Sequence, residues 1–266
     1  MKWLFLFSSI AAGILLSGML TEARLNNADY LAHLSAEAEI EENTDLQPEE
    51  IRRKARAVTV KVLTGKTWGS GISIAHQDNF YTIVTNSHVL AFSRDKTYRV
   101  QTPDGKIYPA RVVREFEGRD LALLQFKSDL KYETVELTPI ASSSLVVEEE
   151  VFAVGFPVEI EGQKIKGFYF NDGRIVKFSK LDFGGGYQIG YTNSIKKGMS
   201  GGALFNSEGK VVGINGMHKY PLWGNPYNFS DGSLASESQQ QEMSKFSWAI
   251  PINTFLDLAP QFSASN

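Results

Sequence analysis

The sequence predicts an all-β fold of two six-stranded antiparallel β-barrels with a short C-terminal helix. From Ala57 onward, short β-branched and aromatic runs follow one another, separated by Gly, Asn and Asp, which is the pattern of antiparallel strands. The runs form two groups of about six, and a polar stretch near 127–146 separates the groups. Strand patterns never alternate with helical patterns of about 12 residues, which argues against a parallel α/β sheet.

The N-terminal barrel is expected at about 57–126 and the C-terminal barrel at about 147–258. The strands of the first are predicted near 57–63, 69–75, 79–86, 97–102, 106–113 and 121–126. Those of the second are predicted near 150–156, 164–170, 173–179, 186–192, 202–206, 210–216 and 245–250. Asn171-Asp172-Gly173 predicts a hairpin turn, because Asn and Gly tolerate the positive φ that a tight turn requires.

Helices and loops are expected at the borders of the barrels. Pro48-Glu49-Glu50 predicts the start of a short helix through Arg56, with proline in the first turn and acids at the positive end of the helix dipole. Pro251 precedes a predicted terminal helix, 252–258. The Gly/Pro/Ser/Gln-rich stretch 219–243 predicts a long surface loop.

Residues 1–23 are predicted to be an export segment. Met-Lys precedes an apolar run from Trp3 to Leu20, as in a secretory signal, and processing is expected after Ala23. An uncleaved membrane anchor is the alternative, since 18 residues at about 1.5 Å each just cross a hydrocarbon core of about 30 Å. Both alternatives, the cleaved signal and the uncleaved anchor, place the rest of the chain outside the cytoplasm. Contact with the membrane is expected only if the segment is not cleaved. The acidic residues 24–50 predict a linker or pro-segment, which leaves 51–266 as the folded domain.

Composition excludes several classes of function. The net charge of −3 and the absence of a Lys/Arg stripe argue against a nucleic-acid partner, because phosphate binding needs a clustered basic face. The chain has no cysteine, which excludes disulfides, cysteine nucleophiles and cysteine zinc sites. Its four histidines show no metal-ligand spacing. We therefore expect neither a metal nor an organic cofactor, and the sequence carries no indication of oligomeric state.

A candidate nucleophile lies in Gly198-Met199-Ser200-Gly201-Gly202. The glycines let the backbone approach a bound acyl group, and the N–H groups of Gly198 and Ser200 could point at one oxygen, as an oxyanion hole requires. An ordinary glycine-rich turn is the structural alternative. The same residues match the nucleophile elbow of α/β-hydrolases, but that fold orders its triad as Ser, acid and His. Only His218 follows Ser200, with Glu208 as the one acid between them, and the chain lacks the alternating strand and helix pattern that an α/β-hydrolase requires, so that interpretation fails.

A candidate base and its carboxylate precede the serine. The predicted strand from Tyr81 leads directly into His88, so a rigid strand would fix the position of the imidazole. Asp120 stands alone before the apolar run that starts at Leu121. Buried carboxylates are rarely unpaired, so Asp120 is expected either to orient His88 or to lie exposed in a turn.

Thr-Asn-Ser-His-Val, Asp-Leu-Ala-Leu-Leu and Gly-Met-Ser-Gly-Gly occur in this order, and with them the chain resembles the trypsin/chymotrypsin superfamily of serine proteases. It is similar to the cysteine-free bacterial branch, as in the protease domain of HtrA/Deg proteins and in cyanobacterial trypsin-like peptidases. The resemblance covers roughly Ala57 to Leu258 and implies the chymotrypsin-like double barrel. It implies His88 as general base, Asp120 as its orienter, Ser200 as nucleophile, and the Gly198 and Ser200 amides as the oxyanion hole.

The expected function is a bacterial, periplasmic or extracellular serine endopeptidase that acts on protein or peptide substrates through an acyl-enzyme. By resemblance, the specificity pocket is lined by Ser194, Gly216, Met217 and His218. Ser194 stands where trypsin-like enzymes carry an acid, so a neutral or apolar substrate side chain is expected, whereas Lys196, Lys197 or His218 could favour an acidic one. The alternative function is a peptide-binding envelope protein on the same fold that does not cut.

Overall fold

The predicted all-β class is confirmed in the computed structural model of the protein. The structure describes residues 45–93, 95–140, 145–160, 163–164, 167–219 and 226–264, which belong to one compact unit. The predicted export segment 1–23 and most of the acidic segment, 24–44, lie outside the described residues. Within the described part of the chain, no helix is both long and apolar enough to span a bilayer.

The first sheet is a closed antiparallel barrel. Its strands are β1 (Thr59–Thr64), β2 (Thr67–Gln77), β3 (Phe80–Thr85), β4 (Tyr98–Gln101), β5 (Ile107–Glu115) and β6 (Ala122–Lys127). They pair in the order β1-β2-β3-β6-β5-β4, and pairing of β1 with β4 closes the ring. All six lie within a few residues of the predicted runs, because each strand is rich in β-branched or aromatic residues and is followed within three residues by Gly, Asn or Asp.

The second sheet is also antiparallel. It contains β7 (Glu150–Gly155), β10 (Tyr169–Phe183), β11 (Tyr187–Tyr191), β12 (Ala203–Asn206), β13 (Val211–Met217) and β14 (Ser247–Pro251). The pairing order is β10-β11-β14-β13-β12-β7, and β7 pairs in turn with β10. Two short strands, β8 (Glu159–Ile160) and β9 (Gln163–Lys164), form a separate pair.

The predicted hairpin at Asn171-Asp172-Gly173 is wrong. These residues lie inside the single long strand β10, where Asp172 pairs with Phe152 and Gly173 pairs with Val151 of β7. Gly173 serves a different purpose, since a Cβ built on it would lie 2.2 Å from Oδ1 of the Asn193 side chain. The glycine makes room for a neighbouring amide rather than for a turn.

In the described part of the chain, four α-helices border the sheets. The first, α1 (Pro48–Val58), and the last, α4 (Ile252–Leu258), agree with the sequence prediction. A one-turn helix, α2 (Ser87–Leu90), follows β3, and α3 (Glu237–Met243) interrupts the stretch that was predicted to be loop. Ser236 caps α3, where its hydroxyl accepts from the N–H of Gln239 and the Gln239 side chain accepts in return.

Alternate residues of the first barrel face two different cores. The interior of that barrel contains buried residues such as Val62, Ile83 and Leu124. Their chain neighbours Val84 and Leu123 belong instead to a larger cluster that includes the second sheet, α1 and α4. Successive side chains of a strand point to opposite faces of the sheet. The strands of the first barrel therefore carry apolar residues on both faces where the second sheet covers the outer one.

Candidate active site

His88 is held by Asp120 through both carboxylate oxygens. The histidine lies in α2, two residues after its N-cap Asn86. Its ring Nδ1 lies 2.6 Å from Oδ2 of Asp120, and its backbone N–H donates to Oδ1 at 2.8 Å. The side chain of Asn86 donates to the backbone carbonyl of Asp120 at 2.8 Å. Imidazole and carboxylate are thus fixed relative to each other by three contacts.

Asp120 precedes β6 and also contacts the second sheet. Its N–H donates to the carbonyl oxygen of Gly185 at 2.9 Å, and Oδ2 accepts from the hydroxyl of Tyr187. Burial alone would raise the pKa of the carboxyl, but the hydrogen bonds and charge of His88, with the Tyr187 hydroxyl, outweigh burial. The pKa of Asp120 is therefore below its ordinary value, and the side chain is ionised at neutral pH.

Ser200 lies in the loop before β12, where glycines are sterically required. Gly198 and Gly201 have φ of 97° and 85°, in the left-handed region that favours glycine. A Cβ on Gly201 would lie 2.2 Å from the carbonyl oxygen of Ser70, and one on Gly202 would lie 2.1 Å from that of Val154. Backbone packing on both sides of the serine explains why it is followed by two glycines.

The Ser200 hydroxyl donates to the carbonyl oxygen of Gly216, at 3.2 Å. The hydrogen bonds found among the described residues include none between this hydroxyl and His88. Both side chains nevertheless line the same cavity, together with Asp120. Rotation about one side-chain bond is the movement that would turn the hydroxyl from Gly216 toward the imidazole.

The peptide groups before Ser200 are held in one orientation. The carbonyl oxygen of Lys197 accepts from the N–H of Val158 at 2.8 Å, and carbonyl and N–H of a trans peptide point in opposite directions. The N–H of Gly198 therefore points away from Val158. The carbonyl of Gly198 accepts from the Ser70 hydroxyl at 2.8 Å. Among the described residues, neither the Gly198 nor the Ser200 N–H has a hydrogen-bond acceptor.

A cavity of about 640 Å³ contains these groups. Its wall is mostly apolar and aromatic, from Trp68, Val89, Phe92, Tyr187, Met217 and Pro226. Gly198, Gly216 and His218 also line it, as predicted for the site, and Lys197 adds a cationic side chain. Among the described lining residues, Asp120 is the one carboxylate, and His88 and Tyr187 already bind it.

Ser194 is not among the residues that line this cavity. It is half-buried, and its backbone carbonyl accepts from the Asn171 side chain at 3.1 Å. The structure thus brings together every predicted site residue except this one.

Two residues of the site were not predicted. Ser70, in β2, accepts from the Phe156 N–H at 2.9 Å while its hydroxyl donates to the Gly198 carbonyl oxygen, so it holds the loop before Ser200. Tyr187, in β11, binds the carboxylate of Asp120. The run of three glycines before Tyr187 was the one signal in the sequence that its backbone makes a close approach.

Comparison with known proteins found relatives by sequence. The model of the trypsin-like peptidase domain family matches residues 69–214. The chain is 31% identical over 188 residues to a serine protease Do-like HtrA of Lactobacillus helveticus, covering 70% of this chain and 40% of the relative. It is 30% identical over 148 residues to the periplasmic pH-dependent serine endoprotease DegQ of Escherichia coli, covering 55% of this chain and 30% of DegQ. The chain therefore spans less than half the length of these relatives.

The fold has matches among solved structures. A variant of the HtrA-type protease AlgW, solved with a tripeptide, superposes with a TM-score of 0.59 at 22% identity, over 81% of this chain and 63% of that one. The serine endoprotease from Yersinia pestis gives a TM-score of 0.58 at 23% identity, over 82% of this chain and 66% of that one. At these identities, the likeness bears on the fold alone.

Proposed function

Because the chain belongs to the trypsin-like peptidase family, we propose that it is a serine endopeptidase that hydrolyses peptide bonds through His88, Asp120 and Ser200. The observation that carries the proposal is the Asp120–His88 pair, with its 2.6 Å contact, in one cavity with a serine that follows a glycine-rich loop. The architecture that goes with this proposal is the double barrel, with the cavity between residues of both sheets.

The proposed reaction starts with rotation of the Ser200 hydroxyl from Gly216 to the imidazole of His88. His88 takes the proton as Ser200 attacks the substrate carbonyl, and Asp120 stabilises the imidazolium that forms. The N–H groups of Gly198 and Ser200 donate to the oxyanion. Both are available for this, because neither has a hydrogen-bond acceptor among the described residues. The imidazolium then protonates the leaving amine. Water next attacks the acyl-enzyme while His88 takes a proton from it, and the imidazolium returns that proton to Ser200 as the acid product leaves.

Substrate choice follows from the cavity wall. Because its aromatic and aliphatic side chains predominate, we expect an apolar side chain of the substrate to bind there. Lys197 and His218 line the same cavity, so an acidic residue near the scissile bond is the second expectation. Peptide-library profiling distinguishes these two.

Localisation is part of the proposal. DegQ and the DegP-like endoprotease of Hahella chejuensis are named as periplasmic. Together with the apolar segment before Leu20, this supports export of the protein to the periplasm or beyond the cell. Mass spectrometry of the mature N-terminus distinguishes a cleaved signal from a retained anchor.

The activity is tested with Ser200→Ala. Removing the nucleophile is expected to lower peptidase kcat by at least about 10⁴-fold while the circular dichroism and the free energy of unfolding stay close to those of the wild type. Ser238→Ala, at an exposed serine of α3 outside the cavity, is the matched control and is expected to keep full activity. Cleavage by Ser200→Ala at the wild-type rate would refute the assignment.

One observation favours a second function. The Ser200 hydroxyl bonds to Gly216 rather than to His88, which is also the arrangement expected of a peptide-binding protein that does not cut. Under this alternative, wild type and Ser200→Ala bind the same peptides with equal affinity, and neither releases products.

A further inference from the structure

We propose that Tyr187 is the positioning residue that fixes the carboxylate of Asp120, and thereby His88, for the reaction. This inference rests on the proposed peptidase function. Tyr187 lies at the start of β11 in the second sheet, whereas Asp120 precedes β6 of the first. The hydroxyl of Tyr187 donates to Oδ2 of Asp120, the same oxygen that lies 2.6 Å from Nδ1 of His88.

Tyr187 is fitted to this task by its surroundings. It is only 4% exposed, and burial together with the charge of Asp120 raises the pKa of its hydroxyl well above the ordinary value. The hydroxyl therefore keeps its proton at every working pH and always acts as a donor toward the carboxylate. With the His88 backbone N–H on Oδ1, three donors fix both oxygens. A carboxylate bound on both sides cannot rotate away from the imidazole.

The backbone around Tyr187 is built to let the hydroxyl reach Asp120. A Cβ on Gly216 would lie 2.0 Å from the Tyr187 hydroxyl oxygen, so any larger residue at 216 would displace it. Gly185, with φ of 97°, lets its carbonyl accept from the Asp120 N–H at 2.9 Å. Two glycines from separate parts of the second sheet thus leave the space that the phenol ring and its hydrogen bond occupy.

Among the described residues, few charged and titratable groups surround this contact. His88 and Tyr187 face the Asp120 carboxylate directly, and Tyr191, whose hydroxyl stays neutral because burial raises its pKa well above the ordinary value, is the further titratable group near Tyr187. Arg119, the residue before Asp120, forms an ion pair with Asp182 and so is directed toward the second sheet. The charges of Arg119 and Asp182 neutralise each other. The hydroxyl of Tyr187 is therefore the group of the second sheet that donates a hydrogen bond to the Asp120 carboxylate.

The test compares Tyr187→Phe with Tyr191→Phe. Both tyrosines are buried in β11, and each loses one hydroxyl hydrogen bond, but the hydroxyl of Tyr191 donates to Asn215 and not to Asp120. Tyr187→Phe is expected to lower kcat by about 10-fold to 100-fold with KM nearly unchanged, since the lost donor served a charged acceptor. Tyr191→Phe is expected to keep kcat within about twofold of the wild type.

A second measurement needs no turnover. The Asp120 carboxyl carbon is titrated by ¹³C NMR in the Ser200→Ala background, where Tyr187→Phe is expected to move its midpoint to higher pH and Tyr191→Phe is not. Equal kcat values for the two variants, or a loss of kcat with no shift of the Asp120 midpoint, would overturn the proposal. If the wild type cleaves nothing, the proposed function fails by itself. The titration alone then decides whether Tyr187 lowers the pKa of Asp120. An unshifted Asp120 midpoint in Tyr187→Phe would reject the proposed role of Tyr187.

Discussion

At the scale of single residues, the Asp120 carboxylate connects the two halves of the site, because it accepts hydrogen bonds from His88 and from Tyr187 of the second sheet. A buried carboxylate without partners would be strongly destabilising, and here His88 and Tyr187 satisfy it. The same contacts keep it ionised. The proposed catalysis and the stability of the fold therefore depend on the same hydrogen bonds.

The pH dependence of stability follows from the sign of the Asp120 shift. Because the folded-state pKa lies below the unfolded value, the ionised carboxylate stabilises the fold above the ordinary carboxyl range, and this contribution is lost as the pH falls through the folded pKa. Asp120→Asn is expected to reduce the free energy of unfolding by about 1–3 kcal/mol at pH 7. Urea unfolding between pH 7 and pH 3 should show the two proteins converging as acid is added. A difference in the free energy of unfolding that stays constant over that pH range would contradict a lowered pKa of Asp120 in the folded protein.

The residues that the sequence could predict are those that carry the proposed reaction. His88, Asp120 and Ser200 each stand next to a predicted strand or a glycine-rich loop, and these local patterns, their order in the chain and the resemblance to a known family led to their prediction as site residues. Ser70 and Tyr187 could not be found in this way. Their importance lies in contacts with Gly198 and Asp120, which are distant in sequence and meet only when the sheets pack.

At the scale of elements, β10 shows where local propensity fails. Asn-Asp-Gly favours a tight turn when the chain is considered alone. Here pairing with β7 continues through all three residues, from Tyr169 to Arg174, and keeps the strand extended. Tertiary pairing overrides the turn preference because six consecutive residues gain a partner strand.

Gly173→Ala tests this interpretation of β10. The new methyl group would lie 2.2 Å from Oδ1 of Asn193 and 2.8 Å from its backbone N, so either β10 or the Asn193 loop has to move. We expect a loss of about 1–3 kcal/mol in the free energy of unfolding, as for overpacking of a close-packed site. Gly167→Ala, where a Cβ would meet nothing within 4 Å, is the matched control. Equal stability of the two variants in urea would show that the close approach is absent.

Helix α3 was missed although the sequence contains a signal for it. Ser236-Glu237-Ser238-Gln239 has the spacing of a capping box, in which the first and fourth side chains satisfy each other's backbone N–H. The composition of the surrounding stretch, rich in Gly, Pro and Ser, favoured a loop instead. One buried residue, Met243, anchors the helix, and its carbonyl accepts from the Trp248 indole at 3.0 Å.

At the scale of the whole molecule, the candidate site forms where the two sheets meet. His88 follows β3 and Asp120 precedes β6 of the first sheet, while Ser200 precedes β12 and Gly216 lies in β13 of the second. Ser70 links the two sheets beside Ser200, and the Arg119–Asp182 ion pair links them beside Asp120. A shift of one sheet against the other would therefore separate His88 from Ser200.

The division into two groups of strands was predictable because most strands show a local pattern, a run of β-branched or aromatic residues between turn residues, whereas the predicted break inside β10 was wrong. The relation between the groups was not, since no local pattern specifies which loop of one sheet meets the other. That information lies in pairs such as Asp120 with Gly185, which are close in space and 65 residues apart in the chain.

The most direct measurement of the central claim is covalent labelling of Ser200 with a fluorophosphonate, mapped by mass spectrometry of the digested protein. A hydroxyl that His88 activates beside two available amide donors is expected to give one adduct per chain, on Ser200 and on no other serine, and His88→Ala is expected to abolish it. Absence of an adduct on the folded wild type, or labelling that persists unchanged in His88→Ala, would contradict the account.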